Sequence, residues 1–284
     1  MARKALLVGI NDYAPVGPGG PDLRGCVNDV RDMANTLNAL GIIPASPRLM
    51  RILTDERATR AAILNGIAWL IAGAKKGDTL VFHYSGHGSY VLDASGDEPD
   101  KKDETICPHD YATAGMIKDD DLAEVLGKLP AGVNLDVVFD SCHSGSTTRS
   151  LPVLGPDGAE AYIANRFIEP PVDYAFYVDV RPSLPSRGIL RGAGASRATV
   201  TIPGLNHVLW AGCRANQTSQ EGMLEKSVRG VFTYSFCKVL RGAGASIERG
   251  RLESSVSAYV RGLGYSQVPQ LEAAPEAIKE PVFT

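Results

Sequence analysis

Two periods alternate along the first half of the chain. Residues 4–10 form a short apolar run that stops at Asn11-Asp12, the pattern of a strand buried on both faces. From 26 to 40 the apolar residues Val27, Val30, Met33, Ala34, Leu37 and Leu40 recur at helical spacing, and Gly41 supplies the stop. Residues 48–53 predict a second strand. Thr54-Asp55-Glu56 then caps a helix through Ala61, Ile63, Leu64, Ile67 and Leu70 that ends near Gly73. Residues 79–84 are a third apolar run. A β-α-β-α-β order predicts a parallel sheet covered by helices.

Farther on, residues 93–104 have no apolar period and predict an acidic loop. Asp119-Asp120-Asp121 opens a helix through Leu122, Val125 and Leu126, with its acids where the helix dipole favours them. Residues 135–139 form the next strand. From 146 to about 203 the chain is rich in Gly, Pro, Ser and Arg and weak in periodicity, and a connection this long is usually functional or partly disordered. A strand at 207–213, helices at 231–240 and 252–260 and a short closing segment at 268–271 complete the plan. Residues 1–284 are thus expected to build one domain around one sheet: a larger region at 1–148, an insertion or flap at 149–203, and a smaller region at 204–284. Arg-Gly-Ala-Gly-Ala-Ser occurs twice, at 191–196 and 241–246, but lacks the third glycine of a dinucleotide fingerprint and follows no strand. It reads as coincidence in two Gly-rich loops.

Composition narrows the function classes. A chain of 284 residues with 44% hydrophobic and 21% charged residues can bury a sound core. Its formal charge of −3 gives no basic field, so nucleic acid is not an expected partner. Five scattered cysteines suit a reducing compartment better than a disulfide framework. The first apolar run is too short for a signal segment or a membrane span. A soluble, cytoplasmic protein with no membrane partner is the expectation.

The chemistry concentrates at two strand ends. Thr79-Leu80-Val81-Phe82-His83-Tyr84-Ser85-Gly86-His87-Gly88 delivers a histidine, and Leu135-Asp136-Val137-Val138-Phe139-Asp140-Ser141-Cys142-His143-Ser144-Gly145 delivers a cysteine. Sites of parallel α/β sheets form where loops leave the carboxyl ends of strands. If these strands are neighbours, the His87 imidazole can take the proton of the Cys142 thiol and later protonate a leaving amine. The amides of Gly88 and Cys142 are natural oxyanion donors. Taken singly, Cys142 could be a small core residue and His83 a packing histidine. A zinc site from His83, His87, Cys142 and His143 can be drawn, although HxxxH on a strand end does not put both rings on one face. The joint pattern favours the peptidase reading, and caspases also place their histidine about 50 residues before the cysteine.

Tyr84-Ser85-Gly86-His87-Gly88 and Asp140-Ser141-Cys142-His143-Ser144-Gly145 resemble the two signature motifs of metacaspases, the caspase-like cysteine peptidases of family C14. The similarity extends to residues 5–13, to Leu23-Arg24-Gly25-Cys26-Val27-Asn28-Asp29, to 103–110, and to Trp210-Ala211-Gly212-Cys213 with Gln217-Thr218-Ser219. It implies a caspase-haemoglobinase fold, an α/β three-layer arrangement with a mostly parallel central sheet, of compact prokaryotic type. It implies His87 and Cys142 as the catalytic dyad of a cysteine endopeptidase cleaving after Arg or Lys. The residues matching the family's acidic first pocket are Cys26, Asp29, Ser85 and Asp140. Two carboxylates there would pair with a cationic side chain and repel an aspartate, though Asp29 could merely start a helix and Asp140 cap a turn. Monomers acting on peptides or proteins with a basic P1 residue are implied as well.

Many metacaspases respond to calcium. Asp119 and Asp120 match part of the aspartate cluster concerned, but another of its positions falls at about Arg149, and Glu98 stands where an EF-hand loop requires glycine. No cofactor is expected to be required, with calcium the open alternative. The insertion carries Arg149, Arg166, Arg181, Arg187, Arg191 and Arg197, so self-cleavage would fall there, or the segment is a flap over the cleft. Rival readings are a catalytically idle partner-binding module of the same fold and a caspase-like peptidase specific for Asp or Asn.

Overall fold

A computed structural model describes residues 1–14, 21–92, 102–142, 153–154, 160–168, 207–214 and 217–284. In chain order its strands are β1 (Arg3–Gly9), β2 (Met50–Thr54), β3 (Thr79–Ser85), β4 (Gly88–Leu92), β5 (Lys102–Ile106), β6 (Ile117–Lys118), β7 (Asn134–Asp140), β8 (Val153–Leu154), β9 (Glu160–Ala161), β10 (Ile163–Asn165), β11 (His207–Ala211), β12 (Gln220–Leu224), β13 (Ser227–Gly230) and β14 (Gln270–Glu272). Its helices are α1 (Cys26–Ala39), α2 (Arg60–Ile71), α3 (Tyr111–Ala114), α4 (Asp119–Leu126), α5 (Val231–Ala243) and α6 (Arg249–Gly262).

Six strands make the central sheet in the order β14-β11-β7-β3-β1-β2. Every pairing is parallel except β11 with β14. Alternation along each strand sorts side chains to the two faces. Ala5 and Leu7 of β1, Val81 of β3 and Val138 of β7 pack with Met33, Leu37, Phe232 and Phe236 of α1 and α5. Leu6, Val8, Phe82, Tyr84, Val137 and Phe139 pack with Ile63, Ile67, Leu122 and Leu126 of α2 and α4. The result is the expected three-layer α/β sandwich.

Several boundaries differ from the sequence reading. Thr59, not Thr54, caps α2: its hydroxyl accepts from Ala62 N at 3.2 Å. Asp55 instead turns the chain at φ 48°, and its carboxylate accepts from Asn11 N and Asp12 N at 2.8 and 3.1 Å. The tail of the expected acidic loop is β5, which lies between β4 and β6 in a separate three-stranded sheet. Cross-strand pairing there replaces the apolar periodicity the segment lacks. The second Arg-Gly-Ala-Gly-Ala-Ser copy begins in the last turn of α5, where Gly244 at φ 83° closes the helix, so it is not a plain loop. The first copy lies outside the described residues.

Candidate active site

Strands β3 and β7 run side by side with Ser85 opposite Asp140, so their carboxyl ends present matching positions. His83 and Ser85, and Asp136, Val138 and Asp140, point to the α1/α5 face by alternation. Just beyond the strand ends stand His87 and Cys142, both buried. Gly88 sits so close to Cys142 that a side chain there would collide with the Cys142 carbonyl. The two strand ends are tied by Gly86 N, which donates to Asp140 O at 3.3 Å.

Between them passes residue 166 of the long connection. Its carbonyl oxygen accepts from Gly88 N at 3.0 Å and from Cys142 N at 3.2 Å, and its own N–H donates to Ser219 O at 3.0 Å. The Arg166 side chain is fully buried, which an arginine rarely is without charged partners. Nη2 lies 2.7 Å from Asp29 Oδ2 and 3.3 Å from Glu221 Oε2; Nη1 lies 3.2 Å from Asp140 Oδ2. Nη1 also donates to Ser85 Oγ at 2.8 Å and to the Asp140 carbonyl at 3.1 Å. Cys26 flanks the group, its Sγ 4.0 Å from Glu221 Oε2. Cys26, Asp29, Ser85 and Asp140, scattered over more than a hundred positions of sequence, thus surround one guanidinium.

The amino end of α5 supports this pocket. Gly230 N donates to Asp29 Oδ1 at 2.9 Å, and Thr233 offers both N and Oγ1 to Asp140 Oδ2, at 2.9 and 2.8 Å. A helix amino terminus favours negative charge, so two acids can share a buried site. Ser219 Oγ holds the other Asp140 oxygen at 2.6 Å, and Ser85 Oγ donates to Asp29 at 2.7 Å. Burial, with the Asp140 charge adding to it, still raises the Asp29 carboxyl to about 6 even though Arg166 pulls it down. Burial pushes the Cys26 thiol well up, so it is a neutral wall of the pocket. Gly230 has to be small: a Cβ there would come within 2.6 Å of both Arg166 Nη1 and Asp29 Oδ2.

His87 is fixed through its backbone and its ring. Its N–H donates to the Tyr13 hydroxyl at 2.7 Å, and its carbonyl accepts from Tyr84 Oη at 2.7 Å and Cys107 N at 3.0 Å. The ring nitrogen Nε2 meets the Pro21 carbonyl. A carbonyl only accepts, so Nε2 carries the hydrogen and Nδ1 keeps its lone pair. Among the described residues Nδ1 is buried without a hydrogen-bond partner. Burial, opposed by the Pro21 carbonyl, lowers the ring to about 4, so it is a neutral base at pH 7. The Cys142 thiol lies 3.2 Å from Ser219 O and accepts from Ser219 N. Thiol and imidazole are therefore engaged by different carbonyls, of Ser219 and Pro21, and are not bonded to each other.

His83 is a packing histidine: buried, 3.3 Å from Thr233 Oγ1, and lowered to about 3 by desolvation. His143 and Arg149 lie outside the described residues. Asp119 and Asp120 sit in the first turn of α4, where Asp119 Oδ1 accepts from Asp120 N at 2.9 Å. Burial, together with Asp103 and Asp120, raises the Asp119 carboxyl to about 7. Lys118 holds the neighbouring Asp103 at 2.7 Å. Among the described residues no three such groups converge in a geometry able to hold a metal ion. The sequence reading missed Glu221, Pro21 and Gly230, and named Ser219 only within a stretch of family resemblance. Arg166 it named only as one of six arginines. For Gly230 the available signal was a glycine directly before a helix; the Glu221 stretch, Gln220-Glu221-Gly222-Met223-Leu224, has no alternation to mark it as a strand.

Comparison with known proteins shows the family and the fold. The metacaspase, peptidase C14 domain family matches residues 3–151. Metacaspase-1 of Ajellomyces capsulatus is 35% identical over 260 residues, spanning 84% of this chain and 71% of that protein. Metacaspase-1 of Pyricularia oryzae is 34% identical over 297 residues, spanning 96% and 72%. Among solved structures, a Geobacter sulfurreducens protein aligns over 100% of this chain and 99% of its own, with a TM-score of 0.66 and 27% identity. Caspase-1 from Spodoptera frugiperda aligns over 95% and 85% with a TM-score of 0.57 at 13% identity, a likeness of fold.

Proposed function

The chain belongs to the metacaspase family of cysteine peptidases, and from that premise we propose that it cleaves peptide bonds after arginine, and less readily after lysine, with Cys142 as nucleophile and His87 as base. The observation that carries this reading is Arg166. One arginine places its carbonyl on two strand-end amides and its guanidinium among Asp29, Asp140, Glu221 and Ser85.

In that arrangement a substrate carbonyl is polarised by Gly88 N and Cys142 N. His87 Nδ1 takes the thiol proton, and the Pro21 carbonyl steadies the imidazolium through Nε2–H. Attack of Sγ on the carbonyl carbon puts the developing oxyanion on the two amides, each worth about 3 kcal/mol when well aimed. Collapse breaks the C–N bond, and His87 returns its proton to the amine. Water then hydrolyses the thioester by the reverse proton route. Two nitrogens of the guanidinium are used at once, which a lysine cannot match. A P1 aspartate would add a fourth carboxylate to the pocket.

A fluorogenic peptide panel ending in Arg, Lys or Asp tests the reading. Wild type is expected to hydrolyse Arg peptides fastest, Lys peptides about tenfold slower, consistent with one lost charge-assisted hydrogen bond, and Asp peptides not measurably. Cys142→Ala is expected to lose at least about 10⁴-fold. Activity on Asp peptides alone, or activity that survives Cys142→Ala, contradicts the proposal.

A further inference from the structure

Arg166 is not an isolated side chain in a pocket; it belongs to a continuous peptide that fills the cleft on both sides of Cys142. Strand β10 pairs antiparallel with β12, Ile163 opposite Gly222, Ala164 opposite Glu221 and Asn165 opposite Gln220. An extended segment added to a strand edge in this way is a common mode of peptide recognition. Past Arg166 the chain continues without leaving the site: Phe167 bridges to Gly88, and Ile168 N donates to Gly88 O at 3.0 Å.

Side chains along the segment have their own receivers. The Tyr162 hydroxyl donates to Glu221 Oε1 at 2.7 Å, and its ring lies under the Arg24 guanidinium at 4.8 Å. Gln220 Nε2 donates to Asn165 Oδ1 at 3.2 Å. Phe167 stacks on Tyr90 with ring centroids 6.2 Å apart at 28°. A structural arginine needs only its side chain satisfied. Here the main chain, the carbonyl on the oxyanion amides and the residues on both sides are all held as a substrate would be.

Resting on the Arg-specific peptidase reading, we infer that Arg166–Phe167 is this chain's own scissile bond, and that residues 162–168 are the template of its extended specificity: Asn at P2, Arg at P1, an aromatic at P1′. The step is an ordinary hydrolysis. Cys142 Sγ bonds to the Arg166 carbonyl carbon, the Arg166–Phe167 C–N bond breaks, and the proton from the thiol goes through His87 to the Phe167 amine. One water then yields the Arg166 carboxylate and frees Sγ. In the uncut state the thiol's hydrogen bond goes to Ser219, not to His87. Cleavage therefore waits on the thiol turning from Ser219 toward the carbonyl.

The experiment follows the purified full chain by intact-mass and terminal-peptide mass spectrometry, alongside hydrolysis of a quenched Tyr-Ile-Ala-Asn-Arg-Phe-Ile peptide. Wild type is expected to give fragments ending at Arg166 and starting at Phe167, and Cys142→Ala to stay whole. Phe167→Pro keeps the pocket's arginine, and so the fold, and is expected to stay uncut at this bond. Arg166→Lys is expected to be cut at the same bond, more slowly. The quenched peptide is expected to be hydrolysed several-fold faster than one with Asp in place of its Phe. A wild-type chain that hydrolyses the peptide yet stays whole, is cut elsewhere first, or ignores the Phe-to-Asp change overturns the inference and leaves the peptidase reading intact. No hydrolysis of any Arg peptide by wild type sinks the peptidase reading itself.

Discussion

Two buried arginines stand on the same side of the central sheet but serve opposite ends of its strands. Arg249, the first residue of α6, reaches Asp136 of β7 at 3.5 Å, Glu280 at 3.2 Å, and the carbonyls of Ala277 and Thr284 at 3.1 and 2.8 Å. Asp136 is also held by Trp210 Nε1 at 3.0 Å. These contacts tie the last stretch of the chain onto the sheet. Arg166 lies instead at the carboxyl ends, just after the three-residue strand β10, and meets three carboxylates borne by α1, β7 and β12. Its carbonyl oxygen is held by amides of two other strand ends, whereas residue 249 is built into a helix. Arg249 completes the fold. Arg166 occupies a receptor that the fold has already made, with more negative charge than one cation neutralises.

That contrast predicts separable losses. The largest is at Arg249: Arg249→Met leaves Asp136 buried without its charge partner, which costs about 3–5 kcal/mol. At roughly 2–4 °C per kcal/mol for a chain of this size, the melting temperature should fall by roughly 6–20 °C. KM for an Arg peptide should stay within about twofold, since no pocket group is touched. A smaller loss follows at Asp140: removing its charge weakens the guanidinium contact by about 1.5–3 kcal/mol. Steady-state assays of Asp140→Asn should show kcat/KM for Arg peptides down by about 10- to 100-fold, with no gain on Asp peptides. If the Arg249 variant lost Arg selectivity, or the Asp140 variant kept it, the division of labour would be wrong.

The smallest effect is in pH. A P1 arginine stays charged throughout, so a change in its binding reports the carboxylates. Asp29 titrates at about 6 with the guanidinium present, and the guanidinium lowers it, so the empty pocket titrates at or above that value. Binding needs the ionised form; kcat/KM should therefore fall as pH drops through about 6. His87, near 4, protonates in a lower window. Asp29→Asn should flatten the limb near 6 and leave the lower one.

Much of the site could be read from the sequence because the proposed catalytic residues follow apolar runs. The strands that end at Ser85 and Asp140, just ahead of His87 and Cys142, are buried on both faces, and such strands are legible from residue type alone. The resemblance to metacaspases added Cys26 and Asp29, which helical spacing by itself could not move from a surface helix start into a pocket. What escaped was held by long-range packing. Glu221 looks like an exposed polar residue in a short stretch, yet the β12–β13 hairpin folds over the start of α1 and lets Glu221 accept from Arg24 N and Gly25 N at 2.8 and 3.0 Å. Pro21 acts through a carbonyl, which residue type does not announce. Thr54 and Thr59 both look like caps, and only the turn made by Asp55 decides between them.

The central claim is that Cys142 attacks the carbonyl of the residue whose cationic side chain fills the pocket of Asp29, Asp140 and Glu221. Labelling the full chain with a peptidyl-arginyl chloromethyl ketone and locating the adduct by tandem mass spectrometry tests it directly. The account predicts one adduct, on Cys142, with the aspartyl analogue at least about 100-fold slower, in line with a charge reversal in a buried acidic pocket. Labelling of Cys142 by the aspartyl reagent at an equal rate, or an arginyl adduct on another cysteine with Cys142 unmodified, would contradict it.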